Sequence, residues 1–257
     1  MQPILKVVDL EKTFGSVVAA QDINVDIPAG QTVGIIGANG AGKTTFVNMV
    51  TGYLAPSRGQ ILFEGEDIAG IPSRKLTQRG VCRSFQIAQV FPTQTARDNL
   101  LIAVGTADHL SGEAHRLESL DGDDRSKRVE HLLERYGLTN FSNLAASTMP
   151  QGARKLLDIA MAVTSSPRLI LLDEPTSGVS GEDKFQIMDA IIQALRDDEM
   201  TILFVEHDME IVGRFADRVL AFVDGTIIAD GPPEEALADP RVRELIVGEH
   251  HGPGGKA

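Results

Sequence analysis

The stretch Gly37-Ala38-Asn39-Gly40-Ala41-Gly42-Lys43-Thr44 fits the pattern G-x-x-x-x-G-K-[ST]. Its glycines let the backbone wrap so that successive N–H groups converge on phosphate oxygens, the N-terminus of a following helix adds its dipole, and Lys43 reaches the outer phosphates. Thr44 offers a hydroxyl to Mg²⁺. A second candidate is Leu169-Ile170-Leu171-Leu172-Asp173-Glu174, which ends an apolar run in two carboxylates. Asp173 suits the hydration shell of Mg²⁺ and Glu174 suits orienting and polarising a water beside a γ-phosphate, the chemistry of a hydrolase rather than a nucleotide store.

Both candidates need elements to hold them. Val33-Gly34-Ile35-Ile36 before the glycine loop, Leu169 to Leu172, and Ile202-Leu203-Phe204-Val205 are short continuous apolar runs, as expected of strands buried on both faces of a parallel sheet. Phe46-Val47-Asn48-Met49-Val50 after the loop reads as helix. Nearer the start, Ile23, Val25 and Ile27 alternate with Asn24 and Asp26 before the turn Pro28-Ala29-Gly30, the pattern of antiparallel sheet. Phe185, Met188, Ile191, Ile192 and Leu195 lie at helical spacing as one apolar stripe. The fold class is therefore α/β. Residues 87–150 lose the strand pattern, and helix-like stretches such as Val129 to Tyr136 are separated by the polar Ser111-Gly112-Glu113 and Asp121-Gly122-Asp123-Asp124. The expected organisation is a core from 1–86 and 151–248 that includes an antiparallel β subdomain, a helical subdomain over 87–150, and a flexible tail over 249–257 in which His250-His251 are solvated.

Composition narrows the class. The chain has 257 residues, 42% apolar and 23% charged, which is enough for a full core. A single cysteine, Cys82, rules out an internal disulfide framework and reads as a small buried residue. The net charge of −12 gives no global positive field for nucleic acid, so no nucleic-acid partner is expected. No apolar stretch approaches a membrane span, and Met1-Gln2-Pro3-Ile4-Leu5-Lys6 lacks a signal peptide's apolar block. A cytoplasmic chain is expected, at a membrane only where a partner holds it.

Four segments in order resemble the ATP-binding-cassette (ABC) ATPases: the phosphate loop, Ser84-Phe85-Gln86, Asp173-Glu174-Pro175-Thr176-Ser177 and Val205-Glu206-His207-Asp208. The resemblance covers about residues 4–248. It implies a P-loop cassette with ATP and Mg²⁺ bound by Gly37, Asn39, Gly40, Ala41, Gly42, Lys43, Thr44 and Thr45. It further implies that Gln86 senses Mg²⁺ and the attacking water and communicates with a membrane-spanning partner, that His207 contacts the γ-phosphate, and that Phe14 stacks on adenine. Two cassettes close on two MgATP molecules, two permease subunits dock near Gln86 and the helical subdomain, and a periplasmic binding protein supplies the solute. The cassette then sits on the inner face of the cell membrane.

The chain departs from the family pattern at the signature segment, usually of the L-S-G-G-Q type, which meets the nucleotide held by the other subunit. Here it reads Met149-Pro150-Gln151-Gly152-Ala153. Pro150 stands where serine is usual and lacks both hydroxyl and N–H, and Ala153 replaces a glutamine. Ser180 likewise stands where many relatives carry an aspartate. These departures predict an asymmetric pairing with a different cassette, a homodimer being the alternative. Within the family the nearest resemblance is to the ATPases of branched-chain amino acid importers and their urea and amide relatives. It is carried by Gly80-Val81-Cys82-Arg83-Ser84-Phe85-Gln86, by Phe91 to Leu100 and by Ile227 to Glu235. These segments are shared with lipopolysaccharide-export cassettes, which leaves an export cassette, or a soluble non-transport ABC ATPase, as the alternative.

Overall fold

The computed structural model describes residues 2–111, 122–179, 181 and 183–248. Ser180, most of the polar link at 111–124 and the tail with His250-His251 lie outside the described residues. The chain begins with β1 (Leu5–Phe14), β2 (Val17–Ile27), β3 (Thr32–Gly37), α1 (Lys43–Val50), β4 (Arg58–Phe63) and β5 (Glu66–Asp67). It continues through α2 (Ser73–Gln78), β6 (Val81–Ser84), α3 (Ala96–Ser111), α4 (Asp123–Arg135), α5 (Gln151–Ala162), β7 (Leu169–Asp173) and α6 (Asp183–Asp197). The last part comprises β8 (Thr201–Val205), α7 (Met209–Phe215), β9 (Arg218–Val223) and β10 (Thr226–Gly231), followed by short helical turns. Two compact units result: Met1–Ile71 with Leu203–Ala257, and Pro72–Ile202.

The first unit holds the antiparallel sheet, in the order β2-β1-β4-β5. Leu5 pairs with Ile27 and Val7 with Val25, and the same two residues face Phe63 and Ile61 across the other edge of β1. One face is apolar and buried, with Ile23, Val25 and Ile27 inward and Asn24 and Asp26 exposed, as the alternation requires. All six residues of β3 are buried. This strand runs parallel to β9, with Ile35 opposite Leu220 and Gly37 opposite Phe222, while β9 pairs antiparallel with β10. The second sheet is therefore mixed, and its parallel members carry the continuous apolar runs. Gly37 ends β3 where a side chain would not fit: a Cβ there would stand 2.5 Å from the Phe222 carbonyl oxygen.

In the second unit β6 runs parallel to β7, setting Cys82, Arg83 and Ser84 opposite Ile170, Leu171 and Leu172. Cys82 is buried beside Ser165, with Sγ 3.3 Å from Oγ, and burial raises the pKa of its thiol. The stripe on α6 buries Met188, Ile191, Ile192 and Leu195, whereas Phe185 is half-buried with the Lys184 ammonium 5.1 Å from its ring. Among the described residues of 87–150 there are helices, short 3₁₀ turns and one isolated bridge, Thr95 to Ala145. Asp108 on α3 accepts bonds from Arg125 Nε at 2.7 Å and Arg128 Nη1 at 2.6 Å, both from α4. Burial pushes the Asp108 carboxyl up, but the two guanidinium bonds outweigh it and hold it below the usual carboxylate range. Tyr136, at the end of α4, is fully buried, and its hydroxyl has no hydrogen-bond partner among the described residues.

Candidate functional site

In the first unit the phosphate loop leaves the buried strand β3 and enters α1. Ala38, Asn39 and Gly40 form an exposed crest, while Ala41 and Lys43 are buried. Gly42 carries φ of +99°, and a Cβ on it would lie 2.8 Å from the Ala19 carbonyl oxygen, so both backbone and space require glycine. Lys43 Nζ folds back onto the loop, donating to Gly37 O at 2.6 Å and Ala38 O at 3.0 Å. Those two bonds fix the lysine's stem under the crest. The α1 N-terminus is capped by Gly42 without a side-chain hydrogen bond and has no acidic residue in its first turn. Its N–H groups are thus offered to an anion, favoured there by the helix dipole. Thr44 is exposed and Thr45 half-buried in that same turn.

Phe14 ends β1, 50% exposed, with Lys12 Nζ 5.1 Å from its ring centroid. Opposite it on β2 is Val17, also exposed. Two residues past Val17 comes Ala19, whose carbonyl packs on Gly42. At about 3.3 Å per residue, the start of β2 therefore leads from an apolar platform to the phosphate loop within roughly 7 Å, a span suited to a base joined to its phosphates. The sequence pattern gives Val17 no mark; its exposed position directly across from the exposed Phe14 ring is set by the β1–β2 register. His207 follows β8 and is exposed. Glu206 N donates to Ile35 O at 3.3 Å, which sets this corner beside the end of β3 from which the phosphate loop departs. Asp208 caps α7, accepting from Glu210 N and Ile211 N.

The second unit joins two of the other candidates and gives a third a partner of its own. Gln86 Nε2 donates to Glu174 Oε2 at 2.6 Å. Glu174 is the one non-glycine among the candidates with a positive φ, 46°, a conformation that costs about 1–3 kcal/mol and is held by the turn in which Ser177 N donates to Glu174 O. Asp173 is engaged by Arg83, whose Nη2 donates to Oδ2 at 2.5 Å; the side chains are 7% and 17% exposed. The Arg83 guanidinium also lies 4.8 Å from the Phe85 ring centroid. In the sequence Arg83 carries only the family resemblance. The sign of its role was a cation in a four-residue strand otherwise built of Val81, Cys82 and Ser84, where an unpaired charge is costly.

Of the signature residues, Pro150 and Gln151 are exposed, Gly152 is half-buried and Ala153 is buried. Pro150, in extended conformation, caps α5. A Cβ on Gly152 would meet the Ile187 side chain at 2.1 Å, so α6 packs directly on the glycine. Gln151 Nε2 donates to Ser177 O at 3.1 Å, in the loop after Glu174. Deeper in α5, Lys155 and Asp158 are buried and bond to the segment around Gln86. Their signal in the sequence is two charges three apart inside an apolar helical face.

The chain matches the family model described as ABC transporter over residues 20–177. It is 34% identical to the high-affinity branched-chain amino acid transport ATP-binding protein BraF of Pseudomonas aeruginosa, covering 96% of this chain and 99% of that one. The corresponding LivG protein of Escherichia coli is 33% identical, with 96% and 99% covered. Among solved structures, an ATP-binding cassette of an ABC transporter in its ADP conformation superposes with a TM-score of 0.84 at 28% identity, covering 97% of this chain and all of that one. A nucleotide-free cassette gives 0.81 at 27% identity, with 96% and 99% covered.

Proposed function

The chain belongs to the ABC transporter family and is one of its ATP-binding cassettes, and on that premise we propose that it hydrolyses ATP to power uptake of branched-chain amino acids or related small polar solutes. The phosphate loop carries this reading: a helix start free of acidic residues, a glycine crest and a lysine folded beneath it form a site for a polyphosphate. The names of the relatives support the solute class, and support a transport cassette over the soluble alternative.

In the proposed reaction Phe14 and Val17 receive the base, and the loop from Gly37 to Thr45, with Lys43, holds the phosphates. Glu174 accepts a hydrogen bond from the attacking water and takes its proton as the oxygen–phosphorus bond forms and ADP departs. Gln86 holds the Glu174 carboxylate through its amide and touches the same water, and His207 contacts the γ-phosphate. Thr44, Gln86 and Asp173 present a hydroxyl, an amide oxygen and a carboxylate, hard donors that fit Mg²⁺. When bound, Mg²⁺ neutralises charge on the phosphates.

Family members work with transmembrane permease subunits and form dimers, and a solved cassette of this fold is a dimer. Among the described residues no helix is long and apolar enough to cross a membrane. We assign this chain to the inner face of the membrane, with two permeases, a solute-binding protein acting through them, and a second, different cassette. Pro150 supports the last assignment, because it removes a hydroxyl and an N–H where a partner-held phosphate is met.

Glu174→Gln tests the hydrolytic role. Phosphate release should fall by about 10²- to 10⁴-fold while ATP binding persists; an unchanged rate would remove Glu174 from the reaction. Light scattering of the same variant with MgATP tests the pairing. A monomer that binds ATP fits a different partner cassette, whereas an ATP-dependent homodimer overturns the asymmetric assembly.

A further inference from the structure

The segment that carries Gln86 is bracketed by one helix. Asp158 on α5 accepts from Ser84 Oγ at 2.5 Å through Oδ2 and from Gln89 N at 2.7 Å through Oδ1. One carboxylate thus grips the last residue of β6 and the residue three beyond Gln86. One helical turn earlier, Lys155 Nζ donates to Phe85 O at 2.7 Å. Both side chains belong to buried residues, 2% and 6% exposed. Burying two charges is costly, and an apolar pair of similar volume would pack here with no such penalty. What the charges add is direction: three directed bonds on Ser84, Phe85 and Gln89 leave Phe85 to Ala88 little freedom to turn. The amide of Gln86 projects from that short span and donates to Glu174.

We propose that Lys155 and Asp158 are positioning residues for the reaction, clamping the Gln86 loop to α5 so that the Gln86 amide holds the Glu174 carboxylate in its working orientation. The inference rests on the hydrolytic reading of Glu174 given above. It also gives α5 a mechanical role. Gln151, in the first turn, is bonded to the loop after Glu174, while Lys155 and Asp158, about 6 and 10 Å further along at 1.5 Å per residue, are bonded to the loop of Gln86. A shift at the signature end of this rigid element is delivered to Gln86 through the clamp.

The test is a double-mutant cycle in the full chain, with MgATP hydrolysis and ATP binding both measured. Asp158→Ala should lower kcat by about tenfold or more, since small misplacements of a reacting group are costly, and leave ATP affinity within about twofold. In a Gln86→Ala background, where the clamp has nothing left to position, Asp158→Ala should cause no further loss beyond about twofold. Asp158→Asn, which keeps acceptor and shape, should recover most of the rate. Equal losses from Asp158→Ala in both backgrounds would show that the residue only supports the fold, and would overturn the proposal. If Asp158→Ala does not fold, Ser84→Ala removes a single bond and runs through the same cycle. If the wild-type chain hydrolyses no ATP, the functional reading fails by itself. Hydrogen exchange at Phe85 to Gln89 then still decides the clamp: faster exchange in the Ser84→Ala chain, and in Asp158→Ala where it folds, is expected, and unchanged exchange rejects it.

Discussion

Replacing Arg83 by methionine isolates the ion pair that holds Asp173. Methionine keeps the length of the stem and much of its packing on Phe85 but leaves the Asp173 carboxylate without the guanidinium now 2.5 Å away. Breaking a buried pair from one side costs about 3–5 kcal/mol because a charge remains uncompensated. Asp173 is 17% exposed, so water reaches part of it and the lower end applies. A loss of about 3 kcal/mol in a chain of this size lowers Tm by roughly 6–12 °C. Asp173→Asn added to Arg83→Met removes the stranded charge, so the double variant should be more stable than Arg83→Met alone. Millimolar MgCl₂ should raise the Tm of Arg83→Met more than that of the wild type, because a cation then has an unshared carboxylate to bind. Thermal and urea denaturation of the four chains, each with and without MgCl₂, measure all of this. A Tm for Arg83→Met within about 2 °C of wild type, or strict additivity in the cycle, would refute the argument that Arg83 neutralises Asp173.

Phe14→Ala should weaken ATP binding by roughly fivefold or more, since base stacking on an aromatic ring contributes about 1–3 kcal/mol. Because the ring is half exposed, Tm should hardly change; equilibrium binding alongside a thermal melt checks both. Tyr136→Phe removes a buried hydroxyl that has no hydrogen-bond partner among the described residues, and should raise stability by about 1 kcal/mol, read from the urea midpoint. Asp108→Asn should cost about 2 kcal/mol at neutral pH, where the carboxylate is bound by Arg125 and Arg128. Since its folded pKa lies below the unfolded value of about 3.9, that stabilisation is present above the unfolded pKa and is lost as pH falls through the folded one. Urea titrations of both chains should therefore converge in acid.

Much of the proposed chemistry is legible in the residues because it depends on local covalent geometry. A phosphate loop needs glycine at Gly42, where φ is positive and a carbonyl crowds the Cα, and it needs Lys43 one residue later at the start of a helix. Those demands act over eight residues and leave a pattern in the chain itself. The same holds for the strands: burial on both faces forces an unbroken apolar run, as in β3 and Leu169 to Leu172, and burial on one face forces the alternation of Ile23, Val25 and Ile27. What no local rule could supply was which charges meet. Arg83 and Asp173 are ninety residues apart and come together because β6 and β7 lie side by side in parallel register. Lys155 and Asp158 find Ser84, Phe85 and Gln89 because α5 packs on the end of β6. Spacing marked out a loop suited to a polyphosphate and two carboxylates suited to a metal and a water. Tertiary structure alone decided which buried partners hold those carboxylates, since pairing a charge in a low-dielectric interior depends on neighbours in space and is invisible to neighbours in sequence.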